Sequence, residues 1–419
     1  MDWPKVAAAA ALIAAAAGAA APQASAALPV QVFTPVADGL VGGAAPAFGH
    51  ARARGLVLDA GHSRAYLRFR IGGLRGGVAS ASLRLRVTGH GRARLQVRGS
   101  GRVLARGWVR AGWVSFELGS RVRGPGIVRL ELVSTRGTAT VASRETPWKP
   151  RLRLAIAPLL LAAGDIGSCR SGGDEATASL LEGVPATIAA LGDLAYPRGT
   201  AEEFADCYGP SWGPFRARTR PAAGNHDFAT PGAAPYFDYW SSLAGLAGAG
   251  YYSYDLGAWH VVVLNSNCRF VACDPGSLQE TWLRGDLAQH PARCTLAYFH
   301  HPLFSSTAGT ATPAVQPLWQ DLYDAGADVV LNGHAHNYQR FAPQTPQGAA
   351  DPQRGIREFV VGTGGNSHHA LGPPLANQEN VDDTTYGVLR LLLLEAGYRW
   401  EFVPAGDGIF TESGAADCH

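Results

Sequence analysis

Between residues 28 and 156 apolar side chains alternate with polar ones, and the polar member is most often arginine. Ala65-Tyr66-Leu67-Arg68-Phe69-Arg70-Ile71 and Ser82-Leu83-Arg84-Leu85-Arg86-Val87 show the period of two most clearly. Trp113-Val114-Ser115-Phe116-Glu117-Leu118 and Ile127-Val128-Arg129-Leu130-Glu131-Leu132 repeat it. A period of two puts one set of side chains on each face of a strand, so these segments bury one face and wet the other. Glycine-rich turns separate them and no helical period intervenes. The segment is therefore predicted to be an antiparallel β-sandwich or jelly roll.

Past Pro158 the rhythm changes. Leu159-Leu160-Leu161-Ala162-Ala163 is a short apolar run of the kind buried on both faces. A helix is predicted at 175–181, started by Asp174 and Glu175, and strands at 187–191, 259–264, 295–299 and 329–331. A longer helix is predicted at Leu278–Gln289, and a closing hairpin from 386–395 and 398–403. Strands alternating with helices indicate α/β layering. The expected organisation is thus a leader at 1–26, a β-sandwich module at 27–157 and an α/β domain at 158–419.

The leader reading rests on Lys5, the alanine-rich apolar run at 6–21 and the small residues Ala24-Ser25-Ala26. Together they form the pattern of a secretory signal peptide. The run falls short of the ~20 strongly apolar residues that a spanning helix needs, and no later segment qualifies, so no membrane span is expected. Six cysteines, all beyond residue 168, suit disulfides in an exported protein. Cys268 and Cys273 enclose a short loop and are expected to pair. None has the CxxC spacing of a zinc-thiolate site. The net charge of +3 hides two regions of opposite sign. Residues 27–157 carry 22 basic residues against five acids, whereas residues 158–419 carry 13 against 27. Nucleic acid is not an expected partner.

Five polar motifs punctuate the α/β region: Asp165-Ile166-Gly167, Gly192-Asp193-Leu194-Ala195-Tyr196, Gly224-Asn225-His226-Asp227, His300-His301-Pro302 and Gly333-His334-Ala335-His336. Each supplies a hard oxygen or an imidazole nitrogen, and most end an apolar run. Open α/β sheets place their ligands just past strand C-termini. One carboxylate can give an oxygen to each of two cations, which makes Asp193 a candidate bridge. Asp165, Asn225, His300, His334 and His336 suit terminal positions. Gly192, Gly224 and Gly333 precede ligands, as tight turns with positive φ would require. A lone buried histidine is ordinarily a hydrogen-bonded core residue, but so many donors in ordered motifs fit that reading poorly. His368 and His369, after Gly364-Gly365, are candidates for the rim of a site, but a solvated loop is the favoured reading.

The five motifs together resemble the metallophosphoesterase (calcineurin-like) superfamily, and Tyr196 resembles the tyrosine of its purple acid phosphatase branch. The resemblance implies a layered α/β/β/α sandwich and a secreted, acid phosphatase-like enzyme that hydrolyses phosphate monoesters with water activated by two metal ions. It implies Fe(III) held by Asp165, Asp193, Tyr196 and His336, and a divalent ion (Zn, Mn or Fe) held by Asp193, Asn225, His300 and His334. His226 would contact phosphate and act as the catalytic acid, and His301 is a further candidate for touching substrate. The sequence departs from the family pattern at Ala297, where valine is usual, and at 303–310, where the substrate histidines of plant-type enzymes are missing. A phosphodiesterase or nucleotidase would use the same motifs. A non-catalytic surface-binding protein is the alternative outside enzymes, and the intact donor set opposes it.

Residues 27–157 resemble the carbohydrate-binding β-sandwich modules appended to secreted bacterial enzymes. The resemblance rests on Val36-Ala37-Asp38-Gly39, Ala65-Tyr66-Leu67-Arg68-Phe69, Ala81-Ser82-Leu83-Arg84-Leu85 and Ala142-Ser143-Arg144-Glu145. It implies an extracellular polysaccharide partner, or an anionic wall polymer if the arginines do the binding. The simpler alternative is that the basic module docks on the acidic domain.

Overall fold

The computed structural model describes residues 27–42, 54–89, 91–119, 121–122 and 124–419. The predicted leader lies outside them. Among the described residues, the first part of the chain forms two antiparallel sheets of six and five strands. The arginine alternation works as predicted. In Ser63–Ile71 every odd-numbered side chain is buried, while Arg64, Arg68 and Arg70 face solvent. The inward faces share one core that includes Leu67, Phe69, Leu83, Leu85, Val97, Leu132 and Leu154.

The remainder is built on two further sheets. One has the order Thr219–Ala222, Thr187–Leu191, Leu159–Ala163, Gly387–Leu394, Gly397–Pro404, Glu412–Asp417. The other runs Tyr252–Leu256, Trp259–Val263, Cys294–Tyr298, Val329–Asn332, Arg357–Val361, Tyr338–Phe341, Gln378–Asp382. Leu159–Ala163, Thr187–Leu191 and Thr219–Ala222 run parallel. So do the four strands from Trp259–Val263 to Arg357–Val361. These central strands are buried on both faces, which is why they read as continuous apolar runs. Leu161, Ile188 and Leu391 of one sheet share a core with Val261, Leu296, Leu331 and Phe359 of the other. The outer face of the second sheet, through Val262, Ala297 and Val330, packs on helices Leu278–Gln289 and Gln316–Asp324. This is the layered architecture the motifs implied. The predicted helix at 278–289 and the closing hairpin both form.

Three disulfides join Cys169 to Cys207, Cys268 to Cys273 and Cys294 to Cys418, so the predicted 268–273 pair forms. No helix of the described residues is long and apolar enough to cross a membrane.

Candidate metal centre

Parallel strands end together, and every motif leaves from such an end. Asp165 follows Leu159–Ala163, Asp193 follows Thr187–Leu191 and Asn225 follows Thr219–Ala222. From the other sheet, His300 follows Cys294–Tyr298 and His334 follows Val329–Asn332. The two sheets thus bring seven donor side chains to one place.

Those donors fall into two groups joined by one residue. In the first, the Tyr196 hydroxyl donates to Asp165 Oδ1 at 2.8 Å, and His336 Nε2 lies 3.1 Å from both that carboxylate oxygen and the phenol oxygen. In the second, His300 Nε2 lies 3.2 Å from Asn225 Oδ1 and 3.3 Å from His334 Nδ1. Asp193 touches both groups. Its Oδ2 is 3.0 Å from the Tyr196 hydroxyl and 3.1 Å from His300 Nε2.

The donor chemistry fits cations. His300 Nδ1 faces the Leu191 carbonyl at 2.9 Å. A carbonyl can only accept, so Nδ1 carries the hydrogen and Nε2 turns its lone pair on the Asp193 carboxylate. A lone pair and an anion at that distance repel unless a proton or a metal ion lies between them. The charges of Asp193 and Asp165 outweigh burial and push the His300 pKa up to about 9, as a proton in that place requires. Burial and the two carboxylates lift the Tyr196 phenol well above its ordinary value. His334 is driven down to about 4 by burial and by His300. The same set of contacts would suit two cations shared through Asp193.

Local backbone explains the placement. Asp165, Asp193 and His334 all hold positive φ, at 61°, 51° and 68°, conformations that L-residues adopt only when the surroundings impose them. Backbone N–H groups fix the carboxylates, from His334 to Asp165 Oδ2 at 2.8 Å and from His226 to Asp193 Oδ1 at 2.7 Å. The glycine prediction holds only in part. Gly192 has φ +89°, but Gly224 and Gly333 do not have positive φ. They are glycine for lack of room, since a Cβ at Gly224 would lie 2.0 Å from Asp193 Oδ1 and one at Gly333 would lie 2.7 Å from Asp165 Oδ2.

His226 lines a cavity of about 560 Å³, together with Asp193, Tyr196, Asn225, His334 and His336. Its ring lies against Tyr196 with 4.5 Å between centroids, and its Nδ1 is 2.6 Å from the Pro197 carbonyl. Nδ1 therefore holds a hydrogen, which leaves Nε2, 3.8 Å from Asp193 Oδ2, as the nitrogen able to exchange a proton. His301 does not reach that wall. Ser266 Oγ takes its Nδ1 at 2.8 Å and its backbone N–H at 2.9 Å, and the ring packs on His300 and His334. His301, expected to touch substrate, is thus not among the residues lining this cavity.

Three residues at the site had no role assigned from the sequence. Asp227 accepts the N–H groups of Gly224 and Leu194, at 2.8 and 3.2 Å, and so ties the Asn225 loop to the Asp193 loop. Burial and the neighbouring Asp193 charge raise its carboxyl to about 8. Ser367 Oγ holds His336 Nδ1 at 2.7 Å. His369, read as part of a solvated loop, instead lies flat on His336 and lines the cavity. The Gly364-Gly365 pair was the only local signal for this loop.

Known proteins resemble this chain in sequence and in fold. The family described as Calcineurin-like phosphoesterase matches residues 159–338. Purple acid phosphatase 15 of Arabidopsis thaliana is 27% identical over 240 residues, which are 48% of this chain and 44% of that protein. Purple acid phosphatase 22 of the same plant is 33% identical over 122 residues, 28% of this chain and 27% of that protein. The chain thus spans less than half the length of either relative. The solved structure of purple acid phosphatase PPD1 from yellow lupin (Lupinus luteus) seeds superposes with a TM-score of 0.51 at 17% identity, covering 87% of this chain and 74% of that one. The fold is that of a purple acid phosphatase. The chain carries a calcineurin-like phosphoesterase domain at residues 159–338 and counts purple acid phosphatases among its homologues.

Proposed function

We propose that this chain is a metal-dependent phosphoester hydrolase acting on phosphate monoesters. The observation that carries the reading is Asp193, whose single Oδ2 touches both groups of donors. Asp165, Asp193, Tyr196 and His336 would hold one ion, and Asp193, Asn225, His300 and His334 the other. When bound, such a pair lowers the pKa of water and neutralises phosphoryl oxygens. Support for Fe(III) on the tyrosine side comes from the phenol itself. A phenolate is a hard anionic ligand, which suits a strongly acidic cation better than a divalent one. The second ion would be Zn, Mn or Fe(II).

The chain's own groups do the rest. The Pro197 carbonyl aims His226 Nε2 along the cavity wall, where it can give a proton to the departing alkoxide. Asp227 keeps the Asp193 and Asn225 loops in register. The test is hydrolysis of p-nitrophenyl phosphate and bis-(p-nitrophenyl) phosphate side by side, before and after chelation. Faster, chelator-sensitive turnover of the monoester is expected. Faster turnover of the diester would make the enzyme a phosphodiesterase, and activity indifferent to chelation would refute the reading.

We further propose that residues 158–419 form the catalytic unit, that residues 27–157 form a separate module, and that the protein is exported. Separate cores support the first two statements, and three disulfides support the third. Expression in the native host followed by assay of the culture medium tests export. The module's proposed ligand is an anionic polymer. On one sheet Arg84 lies directly opposite Arg151, two like charges that oppose folding unless something screens them. The Trp113 ring lies 4.7 Å from one guanidinium and 5.6 Å from the other, and Trp148, half exposed, lies beside Arg86. Neither Arg84, Arg86, Arg151 nor Arg153 has an ion-pair partner among the described residues.

A further inference from the structure

The loop at 303–310 carries no histidine and is tied down internally, with Thr310 donating to Ser305 Oγ and Asn337 Nδ2 to Thr307 Oγ1. A different loop brings an imidazole to the cavity. After strand Arg357–Val361 the chain passes Gly364-Gly365 and docks on the loop of His334 and His336. The docking uses both backbone and side chains. His336 Nδ1 meets Ser367 Oγ at 2.7 Å, the His369 N–H donates to the His336 carbonyl at 3.0 Å, and Asn337 Nδ2 donates to the His369 carbonyl at 2.9 Å. The His369 ring then stacks on His336 with 3.8 Å between centroids and 8° between planes.

One more contact fixes its chemistry. The backbone N–H of His336 points at His369 Nδ1 at 3.4 Å. A backbone N–H can only donate, so Nδ1 accepts and the ring's hydrogen is on Nε2. That Nε2–H has no hydrogen-bond partner among the described residues, and the half-buried ring forms part of the cavity wall. A donor whose direction is fixed in advance, at the edge of the cavity, loses little entropy when it is used. Ring contacts run His226, Tyr196, His336, His369, so His226 and His369 lie at opposite ends of the series.

We propose that His369 is a substrate-contacting residue, donating its Nε2–H to a non-bridging oxygen of the phosphoryl group from the His336 end of the cavity. The inference rests on the phosphoesterase reading. It involves no proton transfer, since the ring donates as a neutral imidazole and stays so.

The test compares His369→Phe, which keeps an aromatic face on His336 but lacks the donor, with His369→Gln, which restores an N–H. Orthophosphate is titrated calorimetrically into the metal-loaded full chain, and KM and kcat are measured on p-nitrophenyl phosphate. The Phe variant should bind orthophosphate about tenfold more weakly, the worth of one hydrogen bond to a charged group. Its KM should rise by a similar factor, its metal content should be unchanged, and the Gln variant should recover most of the loss. A Phe variant that binds orthophosphate as wild type does would overturn the inference and leave His369 a packing residue. A Phe variant that loses metal would overturn it too, by making His369 a support for His336. A wild type that binds no orthophosphate would overturn the phosphoesterase reading and this inference together.

Discussion

His226 and Tyr196 lie ring against ring, yet the geometry gives them different work. Tyr196 turns its hydroxyl inward to Asp165 and Asp193, whereas His226 is anchored by its Nδ1 and keeps Nε2 on the cavity wall. Removing the imidazole in His226→Ala should therefore lower kcat by ~10²–10⁴, the range for a general acid, with metals retained. Metal analysis of the variant checks the assignment, because loss of metal would make His226 a ligand instead. Tyr196→Phe should act on colour. If the phenol binds Fe(III), the oxidised protein absorbs visible light and the variant is bleached. A colourless, fully active wild type would move the site toward the general metallophosphoesterases. The nearby glycines carry a caution about reading single residues. Gly224 looked like a turn residue, but the structure shows that its missing Cβ makes room for the Asp193 carboxylate.

At the scale of elements, Glu358 shows how a strand supports a loop. It is buried in Arg357–Val361 and accepts the Leu303 N–H at 3.2 Å, just beyond His300 and His301. Burial lifts its carboxyl from 4.5 to about 8. The unfolded chain therefore releases this proton before the folded one does, and the folded state loses stability as pH rises between those values. Glu358→Gln removes that loss. Urea unfolding should show the variant gaining on wild type between pH 5 and pH 8, and a constant difference would contradict the account. Much of this layer was legible in the sequence. Leu278–Gln289 begins at Ser277, whose hydroxyl accepts the Glu280 N–H, a local signal. The Arg alternation of Ser63–Ile71 is equally local. Glu412–Asp417 was not legible, because Glu-Ser-Gly-Ala-Ala-Asp has no apolar period. It is a strand because it pairs with Gly397–Pro404 and is tied by Cys294–Cys418. The site divides the same way. The metal donors follow apolar strands and could be found, but the roles of Asp227, Ser367 and His369 exist only through bonds to loops distant in sequence.

Across the whole molecule, the ion pairs seen among the described residues lie within the basic part or within the acidic part. No ion pair among the described residues joins residues 27–157 to residues 158–419. The seam instead includes Arg399 donating to the Ala79 carbonyl at 3.0 Å, and Leu392 packed over Gly77. The proposal that the arginines meet an external anion, rather than the acidic domain, is tested by salt. Pull-down of the full chain with anionic cell-wall material should fall steeply with salt, as the Debye length shrinks from ~10 Å at 0.1 M to ~3 Å at 1 M. Salt-independent retention would favour glycan recognition through Trp108 and Trp148, and no retention would exclude both. The central claim remains the shared carboxylate, and metal atoms counted per chain test it most directly. Wild-type protein should hold two, and Asp193→Asn should lose both along with nearly all phosphatase activity, because a neutral amide cannot serve two cations. An Asp193→Asn protein that keeps two metals and near wild-type turnover would contradict the account.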